Sequence, residues 1–102
     1  MNKTTIYLGL NDKDTKKQRI WNSDAIKILS ELTLPMTITR ARGVWQGEIE
    51  NTLVLTLYND ESLAYTKALC QAIGKCFNQY SVFLEYNDFK DAPFVDEIVI
   101  EY

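Results

Sequence analysis

Histidine is absent from this chain of 102 residues, and cysteine, proline, tryptophan and glycine are scarce, at two, two, two and four copies. Without histidine there is no imidazole base, no imidazole metal ligand and no histidine-based catalytic triad. The two cysteines, Cys70 and Cys76, fall six residues apart in one helical stretch. At about 100° per residue they sit on different faces, so they cannot bridge each other, and they are too few and wrongly spaced for zinc. Both are expected to be small buried hydrophobes. No apolar run is long enough to cross a bilayer. The opening MNKTTIYLGL lacks the apolar segment and cleavage site of a secretion signal, which makes a cytoplasmic setting the expectation. No metal, cofactor or catalytic residue is assigned.

What the chain does have is a globular composition, 46% hydrophobic and 12% aromatic, so wholesale disorder is excluded. Its length suits one domain, residues 1–102, with one core. Eleven basic residues stand against fourteen acidic ones, a net charge of -3. Lys13, Lys16, Lys17, Arg19, Arg40 and Arg42 precede Trp45, whereas Glu85, Asp88, Asp91, Asp96, Glu97 and Glu101 crowd the end. Such a chain is not a general duplex nucleic-acid binder, yet its basic half suits a smaller anion.

Thr4 to Leu10 alternates, with Ile6, Leu8 and Leu10 on one face, and predicts a first strand. Thr15-Lys16-Lys17-Gln18 has the form of a capping box, and Trp21, Ala25, Ile28, Leu29 and Leu32 follow at helical spacing. A first helix is expected over about Lys16 to Leu32, with Pro35 marking its exit. Met36 to Tyr58 reads as a β-hairpin with a long tip, RGVWQGEIEN. Asn59 and Asp60 are N-cap candidates for a second helix striped by Leu63, Thr66, Cys70, Ile73 and Phe77. Ser81 to Tyr86 is a fourth strand, and residues 87–102 form an acidic tail or, from Phe94, a fifth strand.

The order β-α-β-β-α-β predicts an α+β, ferredoxin-like sandwich: a four-stranded antiparallel sheet with two helices on one face, extended by a C-terminal strand if the tail pairs. The other sheet face would carry Tyr7, Thr37, Thr39, Val54, Thr56, Tyr58 and Phe83, too apolar for plain solvated surface. It is expected to meet another copy, in a dimer or trimer, or to be covered by the tail.

This topology brings the ends of strands one and two, the start of helix one and the hairpin tip to one end of the sheet. A ligand site is expected there, built from Lys13, Lys16, Lys17, Arg40, Arg42, Gly43, Trp45 and Gln46. Helix N-terminal amides and arginines grip phosphates, and tryptophan stacks on a base. In the alternative reading the lysines are simply solvated, and Arg40 and Arg42 pair with Glu48 and Glu50 across the hairpin. Glu48 and Glu50 are expected to be solvated surface carboxylates.

Two resemblances arise at these residues. IYLGL, TITRARGVWQG and TLVLTLY resemble a bacterial and phage family of small domains of unknown function, which implies the fold and no activity. The basic, glycine-bearing segment Thr37 to Gly47 also resembles the second strand and following loop of the PII-like signalling proteins. Those are trimers that bind nucleotides between subunits near that loop, and only the position of Arg40, Arg42 and Gly43 carries over.

The expectation is a non-enzymatic, oligomeric binding protein for a small anionic ligand, a nucleotide or cyclic nucleotide signal. Such a protein could serve a phage or mobile element by sequestering an immune signal. The alternative is a protein–protein inhibitor or adaptor, anti-CRISPR-like, acting on a protein partner through its acidic surface. A third reading is an enzyme on the open sheet face, where Tyr7 and Tyr58 sit.

Overall fold

Alternation of side chains decides which way each strand faces. In the computed structural model, which describes residues 1–102, Thr4, Ile6, Leu8 and Leu10 are buried on one side of the first strand, while Thr5, Tyr7 and Gly9 lie on the other. That strand, β1 (Asn2–Gly9), is the centre of a five-stranded sheet. The other elements are α1 (Asn22–Ser30), β2 (Thr37–Trp45), β3 (Glu48–Asn59), α2 (Leu63–Cys76), β4 (Ser81–Asn87) and β5 (Phe94–Val99). The sheet order is β2-β3-β1-β4-β5, with every neighbouring pair antiparallel. The first four strands have the ferredoxin-like arrangement, and β5 extends the sheet beyond β4.

The core forms between the sheet and the helices. Ile6, Leu8, Leu53, Leu55, Leu57, Val82 and Leu84 meet Ala25 and Leu29 of α1 and Cys70, Ile73 and Phe77 around α2. Each fully buried aliphatic side chain of this kind stabilises the fold by about 1.5–3 kcal/mol. Ser62, rather than Asn59 or Asp60, caps α2, its hydroxyl accepting from the Tyr65 N–H at 3.1 Å. Of the two cysteines Cys70 is buried, but Cys76 is exposed, one face further round the helix.

The first helix starts six residues later than its capping-box signal suggests. Asp12 accepts hydrogen bonds from the N–H groups of Asp14 and Thr15, both at 2.9 Å, and so bends the chain locally. Lys16 takes a positive φ of 62°, which no α-helix permits. Gln18 donates to the Ile20 carbonyl and to Asn22 Oδ1 instead of closing a box with Thr15. Trp21 ends at the N-cap, 72% exposed, and is no part of the core stripe.

The chain's end packs on the edge of the sheet and on α2, not over the open face. The Ile100 N–H donates to the Tyr80 carbonyl at 2.9 Å, and Gln71 reaches both the Val99 carbonyl and the Glu101 N–H. Ile100 is buried directly against Gly74 of α2. On the open face Thr37, Thr39, Tyr58 and Phe83 are exposed, and Tyr7, Val54 and Thr56 are half-buried. No helix is long and apolar enough to cross a membrane.

A β-carbon at Gly74 would collide with the Ile100 side chain. Gly74→Ala should gain about 1 kcal/mol in helix propensity but lose more to overpacking, for a net loss of about 1 kcal/mol. Ile100→Val removes the terminal methyl at the contact, so the double variant should recover part of that loss. Urea denaturation of the four chains measures the coupling, and strictly additive losses would show that the two side chains do not clash.

Candidate functional site

One end of the sheet gathers the segment after β1, the β2–β3 tip and the link between α2 and β4. Asp12, 3% exposed, holds the first to the third. Besides the two loop amides, its carboxylate accepts from Asn78 Nδ2 at 2.7 Å and pairs with Arg19 Nε at 3.1 Å. These bonds, led by Asn78, hold its pKa far below the usual carboxylate range. Gln79 adds a second tie, donating from Nε2 to the Asn11 carbonyl at 2.9 Å.

Above this anchor a groove of about 770 Å³ runs down the open face of the sheet. That volume lies within the range of about 300–1,000 Å³ common to small-molecule sites. Its floor is made of small open-face residues, Gly9 of β1 and Ala41 and Gly43 of β2. Aromatic rings of Tyr7, Trp45, Tyr80 and Phe83 line it, with the carboxylates of Glu48, Glu50 and Glu85 and the cations of Lys13, Lys16 and Arg42.

Glu50 is the distinctive group. It is half-buried, although it belongs to a hairpin end expected to be solvated. The β2–β3 ladder continues to Trp45↔Glu48, whereas β1 pairs with β3 only as far as Gly9↔Thr52. Glu50 folds back over the end of β1, and its carboxyl group occupies the space a β-carbon on Gly9 would need. The Asn11 N–H donates to Glu50 Oε2 at 3.1 Å. Burial raises the pKa of Glu50, and the Asn11 bond offsets part of that. No cation pairs with it. Beside it Tyr7 Oη donates to Glu85 Oε1 at 3.1 Å. Burial and that bond raise the Tyr7 pKa, so the phenol keeps its proton.

Of the residues assigned to a ligand site from sequence, Lys13, Lys16, Arg42, Gly43, Trp45 and Gln46 line this groove. Lys17 and Arg40 are exposed and outside it. Tyr7, Val54 and Phe83, assigned to an oligomer interface, line it too, whereas Thr37, Thr39, Thr56 and Tyr58 lie beyond. Lys16 and Lys17 do not stand at a helix N-terminus, because α1 begins only at Asn22. Lys13 is engaged with Asp14 at 3.1 Å and stacks over the Tyr102 ring, and Lys16 Nζ donates to the Lys13 carbonyl. Neither Arg40 nor Arg42 pairs with Glu48 or Glu50. No group of three histidine, cysteine, aspartate or glutamate side chains is arranged to hold a metal.

Two solved structures share this fold. One is a phage SAM lyase in its apo state, with a TM-score of 0.73 and 22% identity over 99% of this chain and 90% of that one. The other is a phage SAM lyase in complex with S-methyl-5'-thioadenosine, with a TM-score of 0.68 and 23% identity over 99% and 91%. No family model and no curated protein matches the chain.

Asp12→Asn removes the charge that four donors converge on. It should lower the melting temperature by roughly 10 °C near neutral pH. The native pKa is depressed from the ordinary 3.8, so the carboxylate's contribution is fully present above that value and fades as the pH falls below it. Melting curves of the two proteins should therefore run apart above pH 5 and converge on acidification. A constant gap down to the lowest pH would mean that the charge does not matter.

Proposed function

We propose that the open-face groove binds S-adenosylmethionine and splits it to S-methyl-5'-thioadenosine, releasing the four-carbon amino-acid arm without consuming water. The observation that carries this reading is Glu50, a half-buried carboxylate with no cation of its own, facing an aromatic-lined groove. Buried, unpaired ionisable groups in a cleft are where ligand chemistry concentrates. The likeness in fold to phage SAM lyases, one of them holding the thioadenosine product, supports the choice of ligand class.

The groove's mixed charge fits this ligand better than a phosphate-bearing nucleotide. S-adenosylmethionine carries a sulfonium and an ammonium against one carboxylate. Besides Asp12, whose charge is already satisfied, the groove carboxylates Glu48, Glu50 and Glu85 stand beside Lys13, Lys16 and Arg42. The adenine would stack on the aromatic rings, and the ammonium would meet Glu50.

The chemistry asks little of the protein. The bond between sulfur and the arm's γ-carbon breaks, its electron pair passing to sulfur, which becomes a neutral thioether. The arm's own carboxylate oxygen takes the γ-carbon and closes a lactone. No base is needed, whereas elimination would require removing a weakly acidic C–H proton. Two opposite charges vanish in the step, so the more hydration the ligand gives up on seating against the aromatic rings, the more the step is favoured over bulk solvent.

Incubating the protein with S-adenosylmethionine should release thioadenosine and homoserine lactone in equal amounts, detected by chromatography and mass spectrometry. Glu50→Gln should lower kcat/KM by about 10²-fold. Because the Glu50 pKa is raised, activity should fall on acidification sooner than an ordinary glutamate would dictate. A buried charge also costs stability wherever the carboxyl is ionised, so Glu50→Gln should melt no lower than the parent at pH 8. Binding without turnover would leave a sequestering protein, the function expected from the sequence. No binding of either compound would remove the ligand class.

A further inference from the structure

A second, smaller hollow adjoins the groove around the end of β1. It measures about 260 Å³ and is lined by Asn11, Gln18, Arg42, Ile49, Glu50 and Asn51, five of the six polar. Asn11, Arg42 and Glu50 line the groove as well, so the two spaces meet at these residues. By strand alternation Arg42 and Asn51 lie on the helix side of the hairpin, opposite each other in the ladder, while Glu50 comes from the groove side. The walls are built, not loose: Asn51 Nδ2 donates to Gln18 Oε1 at 2.6 Å, and Gln18 is held in turn by Ile20 and Asn22.

Arg42 and Glu50 border this hollow as opposite charges, and neither has an ion-pair partner, not even the other. That is the complement of a zwitterion. A lone anion would leave Glu50 repelling it, and a lone cation would leave Arg42 doing so. An α-amino-acid head satisfies both at once.

Resting on the reading of the groove as a site for S-adenosylmethionine, we infer that the hollow between Arg42 and Glu50 receives the α-amino-acid end of the ligand. Glu50 takes the ammonium, and Arg42 takes one carboxylate oxygen end-on, leaving the other free to attack. The nucleoside stays in the groove. Arg42 is then a positioning and specificity residue: it separates ligands that have the amino-acid arm from those that lack it. The carboxylate loses its charge as the lactone closes, so the Arg42 contact belongs to the bound substrate more than to the transition state.

Calorimetry with two stable probes tests this. S-adenosylhomocysteine has the arm, and S-methyl-5'-thioadenosine does not. Arg42→Ala should weaken binding of S-adenosylhomocysteine by roughly tenfold or more and leave thioadenosine within about twofold of the parent. With S-adenosylmethionine the same variant should raise KM by more than it lowers kcat. Arg42 is exposed and Arg42→Ala should fold, which a melting curve checks. Equal weakening of both probes places Arg42 on the nucleoside and overturns the assignment, as does weakening of neither. If the parent protein binds neither probe, the groove reading fails, and this one with it. If it binds thioadenosine as tightly as S-adenosylhomocysteine, the groove stands and the hollow alone is refuted.

Discussion

A buried carboxylate with four donors around it is what the groove end of this molecule is built on. Asp12 is the point where the segment leaving β1, the arginine after it and the turn between α2 and β4 are tied together. An ionised aspartate out of water is costly unless its oxygens are satisfied, and here local and distant partners share the task. Once those bonds form, the chain after β1 cannot wind directly into a helix. It runs as a loop along the sheet's end over residues 10–21, and Asn11 is carried to the place where its N–H meets Glu50. The position of the groove's central carboxylate thus depends on an aspartate one residue from Asn11 that never touches it.

The fold was largely legible in the sequence. Inward-pointing leucines and isoleucines in β1, β3 and β4 declare their own faces, and the order of elements leaves few ways to assemble them. The errors fall where distant residues overrule a local signal. Thr15 to Gln18 has a sound capping pattern, but Asp12, with Asn78 more than sixty residues away, makes a better use of those amides. Cys76 looked interior because it flanks an apolar stripe, yet it sits just outside the contact between α2 and the sheet.

The candidate site was half legible. Arg42, Trp45 and Gln46 stand out in the stretch expected to be a long hairpin tip, and they do line the groove. The tip is not long, however: the ladder runs on to Trp45↔Glu48 and leaves only Gln46 and Gly47 as the turn. Glu50 reads in the sequence as a solvated carboxylate, because a glutamate near a hairpin end is ordinarily exposed. Its burial depends on Gly9, forty-one residues earlier, whose missing side chain leaves room for it. The one available hint was that glycine itself, standing on the open face of an otherwise well-filled strand. Of the residues expected at an oligomer interface, only Tyr7, Val54 and Phe83 share the groove with residues expected to hold a ligand.

The two thiols differ in a way that has a practical side. Burial pushes the Cys70 thiol up to about 12, so almost none of it is thiolate at neutral pH, while Cys76 lies open to solvent at the last turn of α2. An alkylating dye or spin label will therefore choose Cys76 in the unaltered chain. That residue is two positions before Asn78, which binds Asp12. A probe there sits beside the turn that Asp12 holds, on native cysteine chemistry alone, placed to report any loosening of that tie.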